Sequence, residues 1–277
     1  MNSFFSDTRR AVGILALAGA TSVATSCAPT ISTQQEVQLG DEYAAELARQ
    51  LPLVQDGQVV QYINNLGRSI AGRADPRGIQ YNFYVVNAPE VNAFAVPGGH
   101  IYVNRGLIER AANLSELAGV LAHEIGHVVH RHGIDQVERA QTAETGLAVI
   151  YGVLLGRPPS TVEQVGIQGI GTAVFAGYSR DAEREADATA IEFLLASGIH
   201  PQGLVTMFQT LLAERERNPS AVEQWFSTHP TTQERIDNVQ AAIVSLPSGA
   251  LNGLDTNRQS YVDFQNRVSR LPATASR

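Results

Sequence analysis

The feature that most constrains this 277-residue chain is the run Leu121-Ala-His-Glu-Ile-Gly-His-Val-Val-His-Arg-His132. It contains His123, Glu124 and His127, an H-E-x-x-H pattern. On an α-helix, residues i and i+4 share a face, so both imidazoles can reach one ion. Glu124 lies one residue on, about 100° around the helix, beside the ion's open side. That is the place of a base rather than of a ligand. The surroundings read as helical. Asn113 is a candidate N-cap with Glu116 as its capping-box partner, Leu117, Val120, Leu121, Ile125 and Val128 form an apolar run, and Gly133 reads as the stop. Four of the seven histidines fall between 123 and 132, a concentration that an amphipathic helix with surface histidines does not need.

A single catalytic zinc needs a third protein ligand. His130 fails on reach: on a straight helix it lies about 10 Å along the axis from His123, whereas Zn–N bonds are about 2 Å. The extended pattern H-E-x-x-H-x-x-G-x-x-H would need Gly at 130 and His at 133, but the chain has His130 and Gly133. The ligand is therefore expected on another helix. The stretch Tyr178-Ser-Arg-Asp-Ala-Glu-Arg-Glu-Ala-Asp187 opens one that runs to Ala196 and ends at Gly198 and Pro201. Glu183 and Asp187 are i, i+4 and share a face, while Glu185 points elsewhere. Glu183 as a ligand, with Asp187 accepting a hydrogen bond from a ligand imidazole, is one use of such a pair. A solvated acidic first turn is the other.

Before the metal helix the hydrophobic period changes twice. Helices are expected over Glu36 to Leu53 and Val59 to Ala71. Short strands are expected at Gln80 to Val86, Asn92 to Val96 and His100 to Asn104, separated by Asn87-Ala-Pro-Glu90 and Pro97-Gly98-Gly99. The fold class is thus α+β, mainly helical, with a small antiparallel sheet beside the H-E-x-x-H helix. His100 reads as a strand-surface residue rather than a ligand. A strand at the sheet edge, with Asn92, Ala93, Phe94 and Ala95, could pair with an extended peptide, although a plain hairpin strand reads the same way.

Beyond Gly133 a polar helix continues to Thr145, followed by apolar, Gly-rich stretches over 146–175 too short to span a bilayer. Further helices are expected at Pro201 to Arg217, Thr231 to Leu246 and Tyr261 to Val268. Phe226-Ser-Thr-His229-Pro230 reads as a loop.

The formal charge is −7, and no basic stripe is interleaved with aromatics, so nucleic acid is excluded as a partner. The N-terminus reads as a secretory signal: Arg9-Arg10, an apolar stretch from Ala11 to Ala20, then small residues to Cys27. Ala24-Thr25-Ser26-Cys27 resembles a bacterial lipobox, which makes Cys27, the only cysteine, a candidate lipidation site. Ala28 after it resembles outer-membrane sorting. This gives an expectation of attachment to the cell envelope on its periplasmic face, through lipid and in the outer membrane.

Four segments together carry a resemblance: Asn92-Ala-Phe-Ala-Val-Pro-Gly-Gly99, Leu121-Ala-His-Glu-Ile-Gly-His127, Tyr178 to Asp187, and His229-Pro230 with Arg235. Across residues 35 to 245 the chain resembles the zinc metallopeptidases related to the CAAX prenyl protease, most closely the bacterial periplasmic branch of BepA- and LoiP-like proteins. The resemblance implies a gluzincin-type zincin domain over 36–246; the residues on either side read as a signal peptide (1–26), a lipidated tether (27–35) and a partly helical tail (247–277). The resemblance also implies one Zn²⁺ per chain, held by His123, His127 and Glu183 and supported by Asp187. By the same resemblance, His229 is either a removable fourth ligand or a transition-state donor, and Arg235 is a positive group for the oxyanion. The chain departs from the family's integral-membrane members, which have spanning helices. It also departs from those with tetratricopeptide repeats.

The activity expected is zinc-dependent endoproteolysis of unfolded or misassembled envelope polypeptides, with Glu124 as the base. The alternative is a lipid-anchored assembly or chaperone-like factor with a latent zinc site. A purely structural zinc is disfavoured, because a closed structural site needs no base.

Overall fold

The computed structural model describes residues 31–72, 75–140 and 177–272. The candidate signal and Cys27, the 146–175 stretches and the last five residues lie outside them. Among the described residues are ten helices and three strands, all in one compact unit that begins at Ile31. Helix α1 spans Thr33–Gln50 and α2 Gly57–Ala71. Each is started by a side-chain cap: Ser32 with Gln35 forms a capping box on α1, and Asp56 accepts from the N–H groups of Gln58 and Val59 on α2.

The strands are β1 (Asn82–Val86), β2 (Ala93–Val96) and β3 (His100–Asn104), in the order β1-β3-β2. β2 and β3 form the expected antiparallel hairpin, with Ala93 opposite Val103. Its turn uses Gly98 and Gly99 at φ 81° and 93°, a region that glycine enters without steric cost. The third pairing corrects the expectation of an antiparallel sheet: β1 runs parallel to β3, with Asn82 opposite His100. The reason lies in the connection. Residues 87–92 carry the chain past β3's position, anchored where Ala88 O accepts from Gly106 N at 3.0 Å and Val91 N donates to Ala221 O at 2.8 Å. β2 therefore arrives at the far edge, and its hairpin partner fills the middle.

Helix α3 (Arg105–Arg110) leads into α4 (Leu114–Val129), the helix that bears the H-E-x-x-H pattern. Asn113 caps α4 by accepting from Glu116 N. Glu116 does not complete the box: its carboxylate accepts from Ala112 N and from the Thr206 hydroxyl instead. Every residue of α4 from Leu114 to Val128 is buried. A helix buried all round marks the centre of a core. The stop is also earlier than Gly133. His130 is the C-cap, and Arg131 takes φ 59°, a left-handed conformation uncommon for a side-chain-bearing residue. That reversal starts α5 (His132–Ala140) with Gly133 inside it.

After the undescribed segment come α6 (Arg180–Ala196), α7 (Gln202–Arg217), α8 (Pro219–Thr228), α9 (Gln233–Val244) and α10 (Gln259–Ser269). Helix α8 replaces the start of the expected loop at Phe226. Pro219 opens it, and Val222 and Trp225 turn inward three residues apart. Helix α4 packs on α6, α7, α2 and β2. The main core unites these with α9 and α10, while a smaller cluster on the other face of the sheet gathers Leu39, Tyr43 and Leu47 of α1 around Phe94 and Tyr102. His100 belongs to the buried set, not to the strand surface: Nε2 is 2.9 Å from Asp41 Oδ1 and Nδ1 is 3.1 Å from the Tyr84 hydroxyl. The sheet's packing against α1 covers it. No helix among the described residues is long and apolar enough to cross a membrane.

Candidate metal centre

Four side chains from three places in the chain converge. α4 supplies His123 and His127, α6 supplies Glu183, and the turn after α8 supplies His229, with all four donor atoms within 4.8 Å of one another. His123 Nε2 is 3.0 Å from His127 Nε2 and 3.3 Å from His229 Nδ1. Glu183 Oε1 is 3.1 Å from His229 Nδ1 and 3.5 Å from His127 Nε2. An ideal tetrahedron with metal–ligand bonds of about 2.0–2.1 Å has edges of about 3.3–3.4 Å. The four measured edges bracket that value, and imidazole with carboxylate is a donor set for a divalent transition metal. All four residues are buried. The residues present therefore fit a divalent cation.

Close packing sets this geometry. Gly126 lies where α4 crosses α6, and a Cβ there would be 3.0 Å from Ala186 Cα. The absence of a side chain lets Glu183 come down onto the two histidines. His229 is positioned by stacking on Trp225, with ring centroids 4.7 Å apart. Trp225 is itself fully buried, and its indole N–H donates to Thr231 Oγ1. Tyr178 stacks on His127 at 3.8 Å, and its backbone N–H donates to Thr228 O.

Around the donors lies a charged ring. Asp187 Oδ1 is 2.9 Å from His123 Nδ1. Arg235 grips Asp187 through Nε at 2.5 Å and Nη2 at 2.9 Å, and also forms an ion pair with Glu183. Its guanidinium stacks on Phe208 with 4.5 Å to the ring centre. So Arg235, expected as a group for the oxyanion, is here engaged by the two carboxylates.

Burial pushes the Glu183 carboxyl up, but the His229 and Arg235 charges outweigh it and hold it well below the ordinary range. Burial holds His127 well below the usual imidazole value, against the opposing pull of Glu183. An ionised carboxylate and a neutral imidazole are the forms that bind metal. His229 is raised: burial lowers it, and the charges of Glu124 and Glu183 overcome that.

Glu124 is fully buried, with Oε1 3.4 Å from His229 Nε2, and neither of its oxygens has a hydrogen-bond partner. A buried carboxylate without a hydrogen-bond partner is costly, and here the His229 imidazole lies within ion-pair distance of it. The edge strand β2 carries Ala93, Phe94 and Ala95, preceded by Asn92. All are buried, and the Asn92 side-chain amide is unpartnered. Ala95, Val96 and Pro97 line a narrow cleft together with His127, Gly133 and Tyr178. A second cleft opens beside Glu183 and Arg235, with Arg180, Pro230 and Thr232.

Three participants escape a reading of spacing alone: Tyr178, Trp225 and His132. His132 Nδ1 is 2.9 Å from His127 Nδ1, and its Nε2 is 3.0 Å from Glu185 Oε2. Glu185 does leave the face of Glu183 and Asp187, but it points to this histidine. The signal was the doubled histidine of His130-Arg-His132, which only the reversal at Arg131 makes useful.

A buried H-E-x-x-H helix, completed by a carboxylate from a second helix and a histidine from the turn after α8, defines a metallopeptidase. Peptidase family M48 matches residues 54–243, and the chain belongs to that family. Among curated relatives, a beta-barrel assembly-enhancing protease of Yersinia pestis is 33% identical over 223 residues, 79% of this chain and 46% of its own length. Metalloprotease YcaL of Escherichia coli is 32% identical over 61% of this chain and 64% of its own length. The mitochondrial metalloendopeptidase OMA1 of Saccharomyces cerevisiae is 30% identical over 58% of this chain. The chain spans less than half the length of the assembly-enhancing proteases it matches.

Proposed function

We propose that this protein is a zinc endopeptidase of the bacterial cell envelope that acts on misassembled envelope proteins and rests with its site closed. The observation that carries the reading is the pairing of four tetrahedrally spaced donors with a buried Glu124 that has no hydrogen-bond partner and lies beside the fourth. His123, His127 and Glu183 would hold the zinc, and His229 would occupy the remaining position at rest. Bound zinc supplies Lewis-acid polarisation of the scissile carbonyl and of the attacking water. Glu124 takes the proton from that water as it attacks and delivers it to the leaving amine. In this reading His229 is the removable fourth ligand, whose departure frees the space next to Glu124; the other role, a donor toward the developing oxyanion, is separated from it by His229→Ala. Arg235 keeps Asp187 and Glu183 ionised and aimed. An extended substrate segment would lie along the β2 edge at Asn92 to Ala95, held through its backbone, which favours unfolded or misassembled chains over one strict sequence.

The lipobox-like Ala24-Thr-Ser-Cys27 supports anchoring by lipid at the outer membrane, facing the periplasm. Relatives named beta-barrel assembly-enhancing proteases support a substrate class of misassembled outer-membrane proteins.

A second reading has one specific observation in its favour. A site with four protein ligands is closed, which suits an assembly factor whose peptidase is latent. Casein cleavage by purified wild type beside Glu124→Gln, with zinc assayed in both, separates the two. Equal zinc with cleavage lowered about 10²-fold or more in the variant supports the peptidase. Cleavage that ignores Glu124 would sink it. Zinc in both with cleavage in neither directs the test to His229→Ala.

A further inference from the structure

A second group of donors lies outside the site just described. His130 ends α4, His132 opens α5 and Glu185 sits in the second turn of α6, and each offers one ligand atom within 4.8 Å of the others. The two imidazole rings are nearly parallel, at 14°, with centroids 5.4 Å apart. Glu185 Oε2 is 3.0 Å from His132 Nε2, and His130 Nε2 is 2.6 Å from the Thr189 hydroxyl. His130 and Glu185 are exposed while His132 is buried, so the group opens to solvent on one side. The backbone is shaped for it. The left-handed Arg131 between the two histidines turns the chain so that residues two apart present their rings to the same acidic side chain. The Arg131 side chain is tied to Glu36 of α1 at 2.9 Å, which holds that reversal in place.

We propose that His130, His132 and Glu185 form a second divalent transition-metal site, and that its occupancy opposes metal binding and cleavage at the first. Two imidazoles and a carboxylate, with room for water on the open side, suit zinc. The opposition follows from one hydrogen bond. A neutral imidazole has a single N–H. If His127 offers Nε2 to the first metal, its proton is on Nδ1 and is donated across 2.9 Å to His132 Nδ1. The His132 proton is then on Nε2, facing Glu185. A metal at His132 Nε2 needs that lone pair, so the His132 proton must be on Nδ1. Two N–H groups then face each other, and the bond that orients His127 is lost. The coupling acts equally in both directions. Only this coupling rests on His127 being a ligand of the first metal; the second site's existence does not.

The test is zinc alone, added to the purified full chain in equilibrium dialysis against zinc buffers, with casein cleavage followed at each free-zinc level. Wild type should bind one tight equivalent and then a second, weaker one, and cleavage should fall several-fold as the second loads. His130→Ala removes an exposed ligand that has no part in the first site. It should keep the tight equivalent and the cleavage, weaken the second equivalent by about tenfold or more, and escape inhibition at the same free zinc. His130→Asn, which suits a helix C-terminus, repeats the test should the alanine variant fold poorly. A wild type that binds only one equivalent overturns the proposal, as does a second equivalent that survives both substitutions. Inhibition persisting unchanged in the His130 variants overturns the coupling. A chain that binds two zincs and loses one with His130, but whose cleavage ignores Glu124, would sink the peptidase reading and leave the second site standing.

Discussion

At His123, Nε2 joins the donor cluster and Nδ1 faces Asp187 Oδ1 at 2.9 Å, while Arg235 Nη2 lies 3.3 Å from Nε2 and 3.4 Å from Nδ1. With metal on Nε2, the proton lies on Nδ1 and Asp187 accepts it, fixing both tautomer and ring angle. Asp187→Asn keeps an acceptor but removes the charge that Arg235 holds. Metal affinity is expected to fall by about 10–100-fold, measured by competition with a chelator. Unchanged affinity would take Asp187 out of the site. His229 makes the complementary case. His229→Ala leaves three donors and frees the space next to Glu124, so zinc should be retained and casein cleavage should rise above wild type. Cleavage as low as in Glu124→Gln would instead make His229 a required donor. At this scale helical spacing made His123 with His127 legible as a pair, whereas for Glu183 with Asp187 it left a solvated first turn open and only the resemblance singled the pair out. The sequence was not legible where tertiary packing chooses the partner. Nothing in the spacing places Tyr178 on His127, His132 behind it, or the Arg235 guanidinium on two carboxylates.

Between elements, small residues decide how closely the helices approach. A Cβ on Gly203 of α7 would lie 2.1 Å from the Ser115 carbonyl carbon of α4. Backbone cannot yield as a side chain end can, so Gly203→Ala should destabilise the fold by about 2 kcal/mol or more, read from chemical denaturation. Gly126→Ala is subtler. Its Cβ would be 3.0 Å from Ala186 Cα and O, a contact that moves α6 by tenths of an ångström. Those tenths displace Glu183 from His123 and His127. The expected signature is metal affinity lost out of proportion to thermal stability; a loss of stability alone would show that α6 does not set the ligand geometry. Most of the helices, and the β2–β3 hairpin, could be read from hydrophobic period and turn residues. The parallel β1–β3 pairing and helix α8 could not. The first depends on where residues 87–92 are anchored, and the second on an inward turn of Val222 and Trp225 that propensity does not announce.

For the molecule as a whole, the ends of α4 are held by distant parts of the chain. At its C-terminal end, Arg77 donates to Val128 O at 2.7 Å while gripping Asp75, and it pairs with Glu36 of α1. Burial raises the Asp75 carboxyl, but the hydrogen bonds from Arg77 and Tyr81 outweigh it and leave it below the usual range. A carboxyl depressed by folding contributes stability above its unfolded pKa of about 3.9 and loses it as pH falls through the lower folded value. Asp75→Asn should therefore be less stable than wild type at pH 6, with the gap closing as pH falls below the unfolded value and through the lower folded one, followed by denaturation at each pH.

At the N-terminal end of α4, the segment after Leu246 supplies the partners. Thr256 O accepts from Ser115 N, Asn257 Oδ1 accepts from Leu114 N, and Asp255 bridges to Ile199 at the α6–α7 turn. Helix α10 then buries Tyr261, Phe264 and Val268 in the main core, with Tyr62 stacked on Phe264 and the Tyr261 hydroxyl donating to Ala111 O. Three such side chains at about 1.5–3 kcal/mol each amount to a large part of a whole domain's stability of about 5–15 kcal/mol. They also protect backbone groups at the start of the helix that carries His123 and His127. A chain ending at Leu246 keeps every candidate ligand, yet it should unfold at a far lower denaturant concentration than the full chain and lose metal in the same transition. If it held metal and stability unchanged, α10 would be an appendage, and the support for the metal helix would have to lie in α2, α6 and α7 alone.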